Sequence, residues 1–272
     1  MKTKFSAQRH RRHRVTQREV MKRVKLLLGV VLLLVVLNAC ARKQYVIKSV
    51  DGYLVEMNNT YDDGDEAKMS ALIRPYKVKL DAEMNTVIGE AAKSLTKTGT
   101  QSVLANFTAD AMLAFATELW GPVDFAVINN GGLRTTINQG PVTIGNVYEV
   151  YAFDNTLVLL DLPGAAVKEL FTHFAQKKMD GFSKSVSLVL KDKAVESITI
   201  GGRLLDEKAV YKVVTVDYLA EGNDGMDALR QATGYVDSHI MIRDAMIASM
   251  RKLTSANKLI DATPDERLDI KD

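Results

Sequence analysis

Apolar residues fall into three patterns along the chain: one continuous run, several stretches at helical spacing, and short runs of strand length. Val103, Leu104, Phe107, Ala111, Met112 and Phe115 keep the i, i+3, i+4 spacing of an amphipathic helix over Ser102 to Leu119, which Gly121-Pro122 stops. Strands are predicted at Val87-Ile88, Phe125 to Ile128, Thr156 to Leu162, Ser185 to Leu190, Ser197 to Ile200 and Tyr211 to Val216. Tyr45 to Met57 reads as two short strands around Asp51-Gly52, a common hairpin turn pair. Leu72, Ile73, Val78 and Leu80 suggest a helix in which Pro75 starts a second segment or introduces a kink. A short helix is expected around Gly145 to Val150. Another is launched by Pro163, with Val167, Leu170, Phe171 and Phe174 on one face, and a last one runs from about Ile240 to Leu253. Helices and strands mix without strict alternation and no repeat is visible, so the expected fold is a single α+β domain over residues 45–272, with a mixed sheet and packed helices.

The continuous run, Leu26 to Leu37, is of a different kind. Its twelve residues would make a helix of roughly 18 Å, short of the ~30 Å hydrocarbon core of a bilayer. Met21-Lys22-Arg23-Val24-Lys25 precedes it and Leu37-Asn38-Ala39-Cys40 ends it, the layout of a secretory signal over residues 1–39. Met21 begins a complete signal by itself, so the first twenty residues are either a mis-called start or an extended basic region. The last tetrapeptide resembles the bacterial lipobox, in which a small residue precedes a cysteine that is lipidated and becomes the mature N-terminus. That resemblance makes Cys40 the acylated residue and residues 40–44 the anchored N-terminus and linker; the alternative is an incidental buried thiol. Ala41 is not acidic, which under the lipoprotein sorting pattern of Gram-negative bacteria implies a cell-envelope protein anchored in the outer membrane and facing the periplasm.

Charge changes the picture once this segment is set aside. The whole chain carries 36 Lys/Arg and 33 Asp/Glu, but residues 1–39 hold ten of the basic residues and one acidic, leaving 26 − 32 = −6. The basic start could be a nucleic-acid arm, yet the remainder has no compensating basic stripe, and no nucleic-acid partner is expected. The single cysteine makes no internal disulfide, so the fold must rest on an apolar core.

Much catalytic chemistry is missing. After Cys40 the only histidines are His173 and His239, too few for a two-metal phosphatase site, so no metal ligands and no cofactor are assigned to this chain. His173, between Phe171 and Phe174, reads as a partly exposed surface residue. There is no Gly-x-Ser-x-Gly elbow, no P-loop and no dinucleotide fingerprint, so no catalytic residue is assigned either. What remains is a pair of glycine-rich loops. Ile128-Asn129-Asn130-Gly131-Gly132-Leu133-Arg134 follows a predicted strand, its glycines permitting positive φ; Asp217 to Met226 contains Gly222-Asn223-Asp224-Gly225.

These loops, with Gly145 to Thr156 between them and Ser102 to Met112 before them, resemble in order and spacing the C-terminal domain of the 5'-nucleotidases. The likeness spans roughly residues 45 to 270. In that family an N-terminal metallophosphatase domain carries two metals and the C-terminal domain binds the nucleoside, so this chain looks like the second half alone. The resemblance implies that Phe153 and Tyr218 sandwich the base, with Tyr218 in place of the usual phenylalanine. It implies that Asp224 accepts hydrogen bonds from the ribose hydroxyls, that Asn129 and Arg134 face sugar and phosphate, and that Asn155 meets the base edge. Read as residues alone, the aromatics could be core, Arg134 and Asp224 a surface ion pair or loop cap, and the asparagines turn residues. Thr100 stands where the family usually places a phosphate-contacting arginine, and Met226 and Ala152 also depart from its pattern. The implied function is the nucleotide-binding half of a 5'-nucleotidase acting with a separate metallophosphatase chain, which would supply the divalent metal ions. A non-enzymatic envelope lipoprotein that captures nucleosides or serves as an interaction module is the alternative.

Overall fold

The computed structural model describes residues 20–33, 47–55, 67–99, 101–176, 180–192 and 194–271. Cys40 and the rest of the lipobox, residues 1–19 and Thr100 lie outside the described residues. The chain divides into two units, Met1–Asp63 and Gly64–Asp272. In the first, residues 20–33 are helical and exposed, and among the described residues no helix is long and apolar enough to cross a membrane. Of the hairpin expected around Asp51-Gly52, the described residues 47–55 carry no strand, and Ile47, Val50, Tyr53 and Leu54 all face solvent; Tyr45, Val46, Glu56 and Met57 lie outside the described residues. A two-stranded ribbon with neither face covered gains too little from burial to hold its ladder.

The second unit is α+β. It opens with α1 (Ala67–Met84), one continuous helix with Pro75 inside rather than two segments. Then follow β1 (Val87–Ala91), α2 (Val103–Trp120), β2 (Phe125–Ile128), β3 (Gly140–Thr143), α3 (Ile144–Val150), β4 (Thr156–Pro163) and α4 (Gly164–Gln176). The rest is β5 (Gly181–Phe182), β6 (Val186–Lys191), β7 (Ala194–Ile200), β8 (Arg203–Leu204), β9 (Val210–Val216), α5 (Asp217–Ala220), β10 (Gly234–Met241), α6 (Ile242–Ser255) and β11 (Leu268–Lys271). Ser102 caps α2 by accepting the Ala105 N–H, and Gly121 ends it at φ 86°. Thr143 and Asn146 form a reciprocal capping box at the start of α3. The strands β3, β5, β8, β10 and β11 were not expected from the sequence, and β10 is the longest of them. Gly234 to Met241 forms β10, so the last helix starts at Ile242 and Ile240 belongs to the strand before it.

The central sheet has the order β10-β4-β9-β2-β5. Only β2 and β9 run parallel; β4 lies antiparallel to β9, β5 to β2 and β10 to β4. A second sheet, β11-β6-β7-β8, and the pair β1-β3 complete the unit. All four residues of β2 are buried, which requires cover on both faces. α2 packs on β2 and β5, while Phe171 and Phe174 of α4 meet Phe125 and Phe182 with ring centroids 5.5 to 5.7 Å apart. Val167, Leu170, Phe171 and Phe174 are all in the core, as their spacing predicts.

The sheet's directions matter for everything that follows. Parallel neighbours β2 and β9 end at the same edge, so the loops after Ile128 and after Val216 meet there. In the antiparallel pair β4 and β9, Leu157 lies opposite Val216, which brings the residues before β4 to that edge too.

Candidate functional site

Three loops therefore share one end of the sheet: Asn129 to Arg134 after β2, Phe153 to Asn155 before β4, and Tyr218 to Gly225 after β9. Ligand sites in open sheets form where strand ends leave such a crevice. A small cleft of about 10 Å³ lies between the first two, lined by Ile128, Asn129, Leu133, Tyr151, Phe153 and Asn155 among others, with Val216 at the end of β9 below the third. It has room for little more than a water molecule. A heterocycle would have to sit at its mouth: Phe153 lines the cleft and is 48% exposed, whereas Tyr218, 40% exposed, does not line it and is tied to this edge through Asp224. Neither is a core residue.

Hydrogen bonds tie the outer loops together. The buried Asn129 amide donates to Asp224 Oδ2, and the Tyr218 hydroxyl donates to Oδ1 of the same carboxylate at 3.1 Å. That hydrogen bond, more than partial burial or the carboxylate's charge, raises the Tyr218 pKa above the ordinary phenol value. Asp224 stands in the left-handed region at φ 56°, between Gly222 at φ 81° and Gly225 at φ 82°. A run of such dihedrals is what a glycine-rich turn provides.

The glycines of the first loop serve another purpose. Positive φ was expected there, but Gly131 and Gly132 form a 3-10 turn without it. A Cβ on Gly132 would sit 2.7 Å from Asn129 Oδ1, and one on Gly131 would sit 3.4 Å from Asp224 Oδ2. Close approach to Asn129 thus calls for glycine at 132, while a Cβ at 131 would only touch Asp224. Arg134 folds back on this turn, its Nη1 donating to Gly131 O at 3.1 Å, and its guanidinium lies over the Phe153 ring at 5.6 Å from the centroid. Asn155 is half-buried at the cleft wall, its carbonyl accepting the Ile242 N–H.

Sequence reasoning missed several supports of this edge. Arg243 stacks over Tyr148 at 4.9 Å and pairs with Asp154, which fixes the segment carrying Phe153 and Asn155. Lys97 donates to the Leu133 carbonyl, and its own carbonyl accepts from Asn130 Nδ2. His173 is partly exposed, as expected, but it is not a bystander. Its side chain is 18% exposed and its ring lies against Gly225, because the α4 face that carries it turns toward the second loop.

A larger groove of about 600 Å³ runs between α2 and α6, lined by Phe107, Ala111, Phe115 and Leu253 among others. None of the sequence-predicted site residues reaches it, and four of the charges along it pair with each other, Lys252 with Glu118 and Arg267 with Asp110. The loop edge is the better candidate. Among the described residues no three His, Cys, Asp or Glu side chains converge closely enough to hold a metal ion. The donor set there does not fit a two-metal hydrolytic centre.

Comparison with known proteins agrees with the architecture. Residues 86–231 match the family model for the 5'-nucleotidase C-terminal domain. UshA of Yersinia enterocolitica is 31% identical over 209 residues, covering 72% of this chain and 37% of that protein. UshA of Escherichia coli is 27% identical over 206 residues, covering 74% and 38%. Among solved structures, a 5'-nucleotidase precursor from Thermus thermophilus superimposes with a TM-score of 0.63 at 27% identity, over 75% of this chain and 43% of that one. The chain belongs to the 5'-nucleotidase C-terminal domain family, and it spans less than two-fifths of the length of these two UshA relatives.

Proposed function

We propose that the loop edge binds the nucleoside of a nucleotide, and that phosphomonoester hydrolysis occurs when a separate metallophosphatase chain brings its metal centre to the bound phosphate. The convergence of Asn129, Asp224 and Tyr218 in one hydrogen-bonded set beside the exposed Phe153 carries this reading. In it the rings of Phe153 and Tyr218 stack on the base and Asn155 meets the base edge. Asp224 accepts from the ribose hydroxyls, for which a carboxylate suits two adjacent donors. Asn129 faces the sugar, and Arg134 swings from Phe153 to offer its planar donor fork to the phosphate. The partner would supply the divalent metal ions and the activated water. α1 offers such a chain an apolar surface, since Met69, Leu72, Ile73, Tyr76 and Leu80 share one helical face and are all exposed.

The test is hydrolysis of AMP and UMP with Mn²⁺ or Zn²⁺, measured for this chain alone and with candidate metallophosphatases. Turnover is expected only in the mixture. Robust metal-dependent turnover by the isolated chain would refute the division of labour, and nucleoside binding without turnover in any mixture would favour a capture protein.

We further propose that Cys40 carries a lipid anchor that places the domain at the periplasmic face of the outer membrane. The expected result is partition of the protein into detergent and its release, or arrested processing, in Cys40→Ala. An unchanged detergent partition of that variant would contradict the anchor.

A further inference from the structure

The two glycine loops are bridged by a side-chain pair that belongs to neither. In the antiparallel pairing of β2 with β5, Ile128 lies opposite Gly181, which sets Asp180 beside Asn129 and Asn130. Asp180 Oδ1 accepts the Asn130 N–H at 2.8 Å. Across from it, His173 of α4 places Nε2 3.9 Å from Asp180 Oδ2, and that nitrogen is buried with no hydrogen-bond partner among the described residues. The other side of the imidazole meets the second loop so closely that a Cβ on Gly225 would sit 2.7 Å from its Cε1. Gly225 adjoins Asp224, and Asp224 accepts from Asn129. The circuit is closed: His173, Asp180, Asn130, Asn129, Asp224, Gly225 and back to His173.

We propose that His173 and Asp180 are positioning residues that hold Asp224 and Asn129 where the ribose hydroxyls of a nucleoside arrive, an inference that rests on the nucleotide-binding reading above. Asp224 needs such a brace. Its left-handed backbone is unfavourable for a side chain with a Cβ, and it persists only where surrounding groups leave no alternative. The imidazole packed on Gly225 blocks relaxation from one side, and Asp180 keeps the Asn129 amide aimed at the carboxylate from the other. Neither residue touches the base, which stacks on Phe153 and Tyr218. Loss of the pair should remove ribose recognition and spare stacking.

Calorimetric titration of the full chain with adenosine and with 2',3'-dideoxyadenosine separates the two contributions. Wild type should prefer adenosine about tenfold or more, the worth of a charge-assisted hydrogen bond to the sugar. His173→Leu should bring that preference to within about twofold while leaving dideoxyadenosine affinity unchanged. His173→Gln, which keeps an N–H donor toward Asp180, should recover part of it, and Asp180→Ala, which removes the acceptor of the Asn130 N–H, should reproduce the loss even if the leucine variant fails to fold. The proposal is overturned if folded His173→Leu and Asp180→Ala keep the adenosine preference, or if both ligands weaken equally, as general loosening of the domain would cause. If wild type itself binds adenosine no better than the dideoxy compound, the assignment of Asp224 to the ribose fails first, and the positioning role falls with it.

Discussion

Replacing Arg267 with methionine should lower the stability of the second unit by about 2 to 3 kcal/mol, the cost of removing a buried donor from hydrogen bonds to charged groups whose carboxylates are partly exposed. The guanidinium is 4% exposed and all its donor nitrogens are used. Nε and Nη2 donate to the two oxygens of Asp265 at 2.7 and 2.6 Å, Nη2 also reaches Asp110 at 2.8 Å, and Nη1 donates to the Phe182 carbonyl at 2.6 Å. One side chain thus links α2, β5 and the entry to β11. Methionine fills similar volume but leaves two carboxylates and a buried carbonyl without their donor, whereas Arg267→Lys keeps the charge and loses the fork, so its cost should be smaller. Thermal unfolding would show the methionine variant melting roughly 10 °C lower. A loss under about 1 kcal/mol would mean that water replaces the network at no cost, against the burial observed.

The same network predicts a pH dependence. Burial opposes ionisation of Asp265, but the hydrogen bonds and charge of Arg267 outweigh it and hold the carboxyl below the usual range. A depressed folded-state value means that the stabilisation is complete above the unfolded value of about 4 and is lost as pH falls through the folded one. Arg267→Met should therefore lose less stability than wild type on acidification below about pH 4. A parallel acid response in both proteins would show that Asp265 is not the linked group.

What the sequence reveals about this fold follows from the range of the interactions involved. The α2 and α4 core faces were legible because helical spacing is local, and so were Phe125 to Ile128 and Tyr211 to Val216 as apolar runs between turn residues. Gly234 to Met241 escaped notice because its apolar residues are interleaved with Asp237, Ser238 and His239, and its register is set by β4, some 80 residues earlier. Arg267 escaped for a similar reason, its partner Asp110 lying 157 residues away. At the loop edge, Asn129, Arg134, Phe153, Asn155, Tyr218 and Asp224 were picked out through the resemblance of the loops to the 5'-nucleotidase C-terminal domain; the residues alone left them open as core aromatics, turn residues or a surface ion pair. His173, Asp180 and Arg243 are single polar residues in unremarkable surroundings, and their meaning appears only when the sheet order brings β5, α4 and α6 to the same edge. The glycines show the limit most clearly: Gly131-Gly132 was legible as special, but the reason at Gly132 is close approach to Asn129 rather than backbone handedness, and Asn129 is itself held by Asp224, 95 residues away.

Removing the Phe153 ring should have the largest effect on ligand binding. A base stacked on an aromatic gains about 1 to 3 kcal/mol per stacking partner, so Phe153→Ala should weaken nucleoside binding roughly fivefold to more than a hundredfold. Because every base has a π-face, adenosine and uridine should lose similar factors, unlike the effect of a hydrogen-bonding residue at the base edge. Phe153→Ala also removes the ring on which Arg134 rests, so phosphate-bearing ligands should lose no more than nucleosides and could lose less as the guanidinium is released. Tyr218→Ala should match Phe153→Ala in size. Tyr218→Phe keeps the ring face and should stay within about threefold of wild type for dideoxyadenosine, while showing how far the hydroxyl on Asp224 competes with ribose. Two walls around one base are also coupled: once either ring is gone the base is held less firmly against the other, and the double variant should lose less than the sum of the single losses. Unchanged affinity in both alanine variants would place the base elsewhere, and strictly additive losses would indicate two independent contacts in place of a sandwich.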